Sequence, residues 1–292
     1  MNHDSPVTRR SAPSRREFLA AVGTAAASLA LADQMPIAAA ERSAKGAKPP
    51  KPFQLGVASY TFRKFDLDKT LAMTRRVGLK HICFKSFHLP LDATSEQIAA
   101  AVAKVKQAGL ELYSGGVITM RNQKEIDQAF AYAKAAGMKM IIAAPTVEAL
   151  PLVDAKIRQT GIAVAIHNHG PGDKIFPTPQ SVYEKVKDLD RRLGLCIDVG
   201  HTIRIGADPV ESARKCADRL LDVHIKDVTA AAPKAQETEV GRGIIDIPAF
   251  LRTLIAVNFS GVVSFEYEPQ PDDPLPGLAE SVGYVRGVLA ML

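Results

Sequence analysis

The sequence predicts a single domain folded as a closed (β/α)8 barrel, and three observations carry that prediction. Short runs rich in Val, Ile, Leu and Phe alternate along the chain with longer, amphipathic, alanine-rich runs. The short runs end at Tyr60, Lys85, Gly115, Ala143, His167, Asp198, His224 and Glu266, in steps of 25, 30, 28, 24, 31, 26 and 42 residues. A βαβ crossover needs about 30 residues, so eight such units in series predict eight parallel strands. Setting aside the first 40 of the 292 residues leaves 252, and one such barrel typically takes about 250.

The strands read from the pattern are Leu55–Tyr60, His81–Lys85, Glu111–Gly115, Lys139–Ala143, Ala163–His167, Gly194–Asp198, Leu221–Lys226 and Val262–Glu266. Near-continuous apolar runs of this length fit strands buried on both faces. Helices are expected over Asp68–Val77, Glu96–Ala108, Lys124–Ala136, Val147–Thr160, Pro179–Leu189, Pro209–Ala217, Ile247–Val257 and Leu278–Leu292. Thr94-Ser95-Glu96 supplies a start signal for the second helix, while Gly109 and Gly137 follow the second and third as stops. The long last step carries an extra segment, Val228–Asp246, expected as a loop at the C-terminal face. An open doubly wound sheet would call for a glycine-rich phosphate loop after strand one, and Ala58-Ser59-Tyr60-Thr61 is not one.

The N-terminus reads as an address. Ser14-Arg15-Arg16-Glu17-Phe18-Leu19 has the paired arginines and x-Phe-Leu of the twin-arginine export route. The apolar run from Leu19 to Ala32 is shorter than the roughly 20 residues of a membrane span. Ala38-Ala39-Ala40 offers small residues for cleavage after Ala40. The expected organisation is therefore a signal peptide over 1–40, a linker over 41–52 and the barrel over 53–292. The expected location is the periplasm, reached through the twin-arginine export machinery, without a stable membrane anchor. Taking the four arginines and three acids of the signal from the net +6 leaves +5. That charge is dispersed, with no basic block of the kind that marks a nucleic-acid footprint, so no nucleic-acid partner is expected. Cys83, Cys196 and Cys216 are odd in number and show no disulfide or Cys-x-x-Cys spacing, so buried free thiols are expected.

The functional signal lies at the strand ends. Active sites of such barrels form where strands end and the following loops begin. Four histidines fall there, in Ile166-His167-Asn168-His169, Asp198-Val199-Gly200-His201 and Val223-His224-Ile225-Lys226-Asp227, and strand eight ends Phe265-Glu266-Tyr267-Glu268. One ligand from each of four successive strands gives two imidazoles and two carboxylates. That mixed set suits one divalent ion, Mn or Zn first, with Co, Fe, Ni or Mg as the other candidates. His167 ends strand five and is taken as the ligand, while His169, two residues further on, is placed on the substrate or behind the metal. Lys85 and His88, in Lys85-Ser86-Phe87-His88-Leu89-Pro90, and Tyr60 end strands two and one on the same face.

Asp198-Val199-Gly200-His201, His224-Ile225-Lys226-Asp227, Gly241-Arg242-Gly243 with Asp246 three residues on, and Glu266 resemble the xylose-isomerase-like TIM-barrel superfamily. That group contains sugar isomerases and epimerases, inosose dehydratases and endonuclease IV. The resemblance implies that Asp198, His224 and Glu266 ligate metal and that His201 contacts substrate. The expected site comprises His167, Asp198, His224 and Glu266 on the metal, with Glu266, His201 and Lys85 in catalysis. Tyr60, His88, His169, Lys226 and Arg242 are placed on the substrate. One position departs from the pattern. Many epimerases of the group carry a metal-binding glutamate where this chain has His167, so only one of their paired acid–base carboxylates remains. The expected activity is isomerisation or epimerisation of a free or oxidised sugar by removal of a proton next to a carbonyl. The alternatives are a metal-dependent lyase or dehydratase on a keto-sugar, keto-glycoside or inosose-like substrate, and a non-catalytic sugar-binding barrel.

Overall fold

The computed structural model describes residues 53–292. The signal peptide, its cleavage point and the linker expected over 1–52 lie outside the described residues. Eight parallel strands close into a barrel in the order β1 (Gln54–Ala58), β2 (His81–Phe84), β3 (Glu111–Met120), β4 (Met140–Pro145), β5 (Ala163–His167), β6 (Leu193–Asp198), β7 (Leu220–Ile225) and β10 (Val262–Phe265), which pairs back with β1. Two short strands, β8 (Asp227–Val228) and β9 (Glu237–Thr238), form an antiparallel hairpin beyond β7.

Helices α1 (Leu67–Arg76), α2 (Ser95–Gln107), α3 (Gln123–Ala135), α4 (Leu150–Thr160), α5 (Pro179–Val186), α6 (Val199–Arg204), α7 (Pro209–Lys215), α8 (Ile247–Ala256) and α9 (Leu275–Met291) fill the crossovers. Their starts follow local chemistry. Asp66, Asn122, Asp208 and Asp246 accept first-turn N–H groups, and Thr94 and Thr178 form reciprocal capping boxes. The main core lies between the strands and the helical ring, while Cys83, Tyr113, Met140, Ile142, Ala165, Cys196 and Val262 form a separate buried cluster across the strands. All three cysteines are buried and free. Gly194 on β6 is required by close approach, because a Cβ there would lie 2.1 Å from the Arg219 carbonyl oxygen. No helix among the described residues is long and apolar enough to cross a membrane.

The structure departs from the expected boundaries at four places. Strand one stops at Ala58, and Tyr60 sits in a 3-10 turn, Ser59–Phe62. The helix expected from Val147 begins at Leu150, after a turn in which Ala149 N–H donates to Thr146 O at 3.2 Å. The segment after β6, to which the sequence pattern assigns no element, is the short helix α6, its start capped by the Asp198 carboxylate, which accepts the His201 N–H at 2.7 Å. The last helix starts three residues early, at Leu275, with Pro276 in its first turn.

Candidate active site and metal centre

Parallel pairing carries the polar strand ends to one mouth of the barrel. Asp198 on β6 sits beside His224 on β7, and His224 beside Ser264 on β10, two residues before Glu266. His167 ends β5 next to Cys196 on β6. The four expected ligands, His167, Asp198, His224 and Glu266, are all buried, and one donor atom from each lies within 4.8 Å of the others. His167 Nε2 is 3.1 Å from His224 Nδ1 and 3.4 Å from Asp198 Oδ2, and His224 Nδ1 is 3.2 Å from Glu266 Oε2. Asp198 Oδ2 is buried, and its partners are charges and rings rather than a backbone N–H. A buried carboxylate oxygen facing an imidazole nitrogen, in a set of two imidazoles and two carboxylates, fits a first-row divalent ion, and this cluster could hold one.

An ammonium is built into the same place. The Lys226 ammonium is fully buried, 3.1 Å from Asp198 Oδ2, 3.0 Å from Glu266 Oε2 and 2.8 Å from Glu268 Oε1, with Glu237 Oε2 at 3.9 Å. Burial works against its charge, but Asp198 and Glu266 outweigh burial and hold it well above the ordinary lysine range. The relation is mutual. Burial pushes the Asp198 and Glu266 carboxyls up, yet Lys226 and the adjacent imidazoles or Lys85 hold both well below the usual carboxylate range. Burial, opposed by Asp198, keeps His167 well below the ordinary histidine value, which leaves a neutral nitrogen available as a ligand.

The remaining expected residues divide. Lys85 joins the cluster, with Nζ 3.4 Å from Glu266 Oε1. His169 and His201 flank His167, with ring centroids 4.4 and 5.9 Å from it, and burial lowers both imidazoles. Tyr60 lies under the cations of Arg63 and Lys85, 4.8 and 5.2 Å from its ring. His88 turns away from the cluster, its Nε2 3.0 Å from both Thr70 Oγ1 and the Phe65 carbonyl. Arg242 is exposed and forms a two-pronged pair with Glu280, its Nη2 2.7 Å from Oε2.

The Gly241-Arg242-Gly243 motif has a structural partner in Asp227. The Asp227 carboxylate accepts N–H bonds from Gly241, Gly243 and Ile245 at 3.0, 3.1 and 3.1 Å. Any Cβ at Gly243 would lie 2.1 Å from Asp227 Oδ1. Folding the long loop back this way delivers Glu237, a residue the sequence reading passed over. Its side chain is 7% exposed, its Oε1 accepts the Glu268 N–H at 3.0 Å, and burial pushes its carboxyl up to about 8. A second unread acid, Asp222, lies fully buried with Oδ2 3.8 Å from His224 Nε2 and accepts from Cys196 Sγ at 3.4 Å. Strand alternation could have found it, because residues two apart share a face.

The family described as the xylose isomerase-like TIM barrel matches residues 74–287. The chain belongs to that family. Among curated relatives, the rhizopine catabolism protein MocC of Rhizobium meliloti is 26% identical over 144 residues, 44% of each chain. The inosose dehydratase of Geobacillus kaustophilus is 29% identical over 114 residues, 31% of this chain and 37% of the relative. The chain thus spans less than half the length of the curated relatives it matches. A solved structure from Parabacteroides distasonis is 25% identical with a TM-score of 0.65, covering 80% of this chain and 98% of that one. The family bears out the expected barrel and the resemblance, and one matched relative is named a dehydratase.

Proposed function

We propose that this protein is a divalent-metal-dependent enzyme that removes a proton next to the carbonyl of a sugar-like substrate and completes the reaction by elimination, as a dehydratase or lyase. The carrying observation is the donor set itself. His167 stands where a second carboxylate would serve two-base epimerisation, while Glu237 holds its proton at neutral pH. His167, Asp198, His224 and Glu266 would hold the metal, which when bound supplies Lewis-acid polarisation of the carbonyl.

The protein groups divide the remaining work. Glu266 Oε2 faces His224 and Lys226, whereas Oε1 has the Lys85 ammonium at 3.4 Å, so Oε1 is the oxygen assigned to accept the proton. Lys85 and Lys226 keep that carboxylate ionised. Glu237, protonated up to about pH 8, is the acid for a departing hydroxyl or alkoxide. A relative that is an inosose dehydratase supports elimination. Isomerisation or epimerisation is the second reading, favoured by Lys85, whose ammonium at Glu266 Oε1 could return a proton to carbon.

The Arg15-Arg16 motif supports a further proposal, export to the periplasm, where free, oxidised or glycosidic sugars rather than sugar phosphates would be met. Cell fractionation tests it, and a protein confined to the cytoplasm removes it.

The decisive experiment loads the purified full chain with zinc or manganese, measures bound metal beside His224→Ala, and then incubates a keto-sugar and inosose panel in deuterated water. One equivalent of metal lost in the variant, with products lighter by one water, is expected. Deuterium uptake without loss of water would favour the epimerase, and absence of metal would remove the mechanism.

A further inference from the structure

A cavity of about 490 Å³ opens beside the cluster, over the ends of β2 and β3. None of the four donor residues lines it, so it is space beyond a ring that reacts at the cluster. The two are continuous through Lys85, which lines the cavity while its ammonium lies 3.4 Å from Glu266 Oε1.

The cavity wall has two kinds of surface. One is aromatic, with the Tyr60 and Phe87 rings 6.1 Å apart and tilted by 47°. Phe87 is 47% exposed yet firmly seated. The His88 ring packs edge-on against it at 4.7 Å, and His88 is itself fixed by Thr70 and the Phe65 carbonyl, 3.0 Å each. His88, expected on the substrate, thus braces an aromatic platform that faces open space. Holding such a ring in place before binding reduces the ordering cost of any ligand that stacks on it. The second surface is polar: Ser86, Thr119 and the Arg121–Glu125 pair line the same cavity. A ligand with C–H faces and hydroxylated edges matches both surfaces at once, and that is a pyranose ring.

We propose that this cavity is a subsite for a second sugar ring, so that the substrate is a glycoside whose reacting ring lies at the cluster and whose remote ring stacks on Phe87. The proposal rests on the reading of the cluster as a sugar site. Saturation-transfer NMR on the zinc-loaded full chain tests it, with methyl β-D-glucoside and cellobiose as probes. Irradiation of protein aromatic protons is expected to saturate both cellobiose rings, and cellobiose is expected to bind about tenfold tighter than the methyl glucoside, the worth of one good aromatic contact. Phe87→Ala removes that difference and Phe87→Trp keeps it. Equal affinities in the wild type, or a preference that survives Phe87→Ala, would overturn the second-ring subsite and leave the sugar reading standing. No saturation of either probe would overturn both.

Discussion

Replacing Glu237 by glutamine tests whether the hairpin carries a protonated acid. The Glu237 side chain is 7% exposed and its carboxyl is pushed by burial from an ordinary 4.5 up to about 8. The unfolded chain releases that proton near the ordinary value, whereas the folded chain keeps it until about 8. Between those values the folded state holds one proton more, so stability falls as pH rises, by about 1.4 kcal/mol per pH unit. Summed over that window the loss reaches at most about 5 kcal/mol, and it is absent below the lower value. Glutamine keeps an acceptor for the Glu268 N–H and never ionises. Glu237→Gln is therefore expected to match the wild type near pH 4 and to exceed it increasingly up to about pH 8. Urea unfolding of both proteins across that range, with chelator present so that metal binding does not intrude, reads the difference directly. A stability gap that does not change with pH would show an ionised Glu237 and remove it as the proton donor. If it is the donor, the same variant loses about 10²–10⁴-fold in turnover.

Other predictions follow from neighbouring contacts. Asp222→Asn is expected to weaken zinc binding about 10–100-fold by calorimetry, because the carboxylate 3.8 Å from the otherwise unpartnered His224 Nε2 orients that ligand. Unchanged affinity would confine Asp222 to its contacts with Tyr113 and Cys196. Lys226→Met is expected to strengthen zinc binding by roughly tenfold or more while lowering turnover, since the ammonium repels a divalent ion and holds the same two carboxylate oxygens. Weaker binding would show that Lys226 positions those carboxylates instead. Gly194→Ala is expected to lower stability by about 1–3 kcal/mol in thermal melts, because its Cβ would meet the Arg219 carbonyl and the Leu221 side chain.

The barrel was legible because each crossover repeats one pattern, and the cluster because a closed parallel sheet must bring successive strand ends together. His167, Asp198, His224 and Glu266 each needed only a strand end to be placed. Lys226 was read as a substrate contact, but alternation puts it on the same side as His224, inside the mouth, where carboxylates from β6, the end of β10 and the hairpin surround it. Such a partner set is not local in sequence. Glu237 was hidden for the same reason. The 42-residue step announced an added segment, yet its path depends on Asp227 gathering three backbone N–H groups, a bond pattern with no hydrophobic period. His88 carried the right residue type near the right strand end, but Thr70 and the Phe65 carbonyl claim its ring.

Charge at the mouth gives His167 its chemical meaning. Asp198 and Glu266 are each in contact with an ammonium: Lys226 reaches both, and Lys85 reaches Glu266. These two carboxylates and two ammoniums balance, Glu268, which meets Lys226 from the rim, adds one negative charge, and the His167 imidazole adds nothing while uncharged. A divalent ion held there would therefore keep one more unit of charge uncompensated than it would beside a carboxylate at position 167. Negative charge that develops on a substrate oxygen as a carbon proton leaves is stabilised in proportion. The cost falls on the other half of the reaction, because an imidazole bound to metal cannot take or return a proton on the opposite face. A site with strong stabilisation of the carbanion, one free carboxylate oxygen and one protonated acid on a loop is matched to expelling a leaving group. His167→Glu is expected to reverse that balance, slowing elimination while raising deuterium exchange at the substrate carbon, and a variant unchanged in both would break the link between this position and the reaction course.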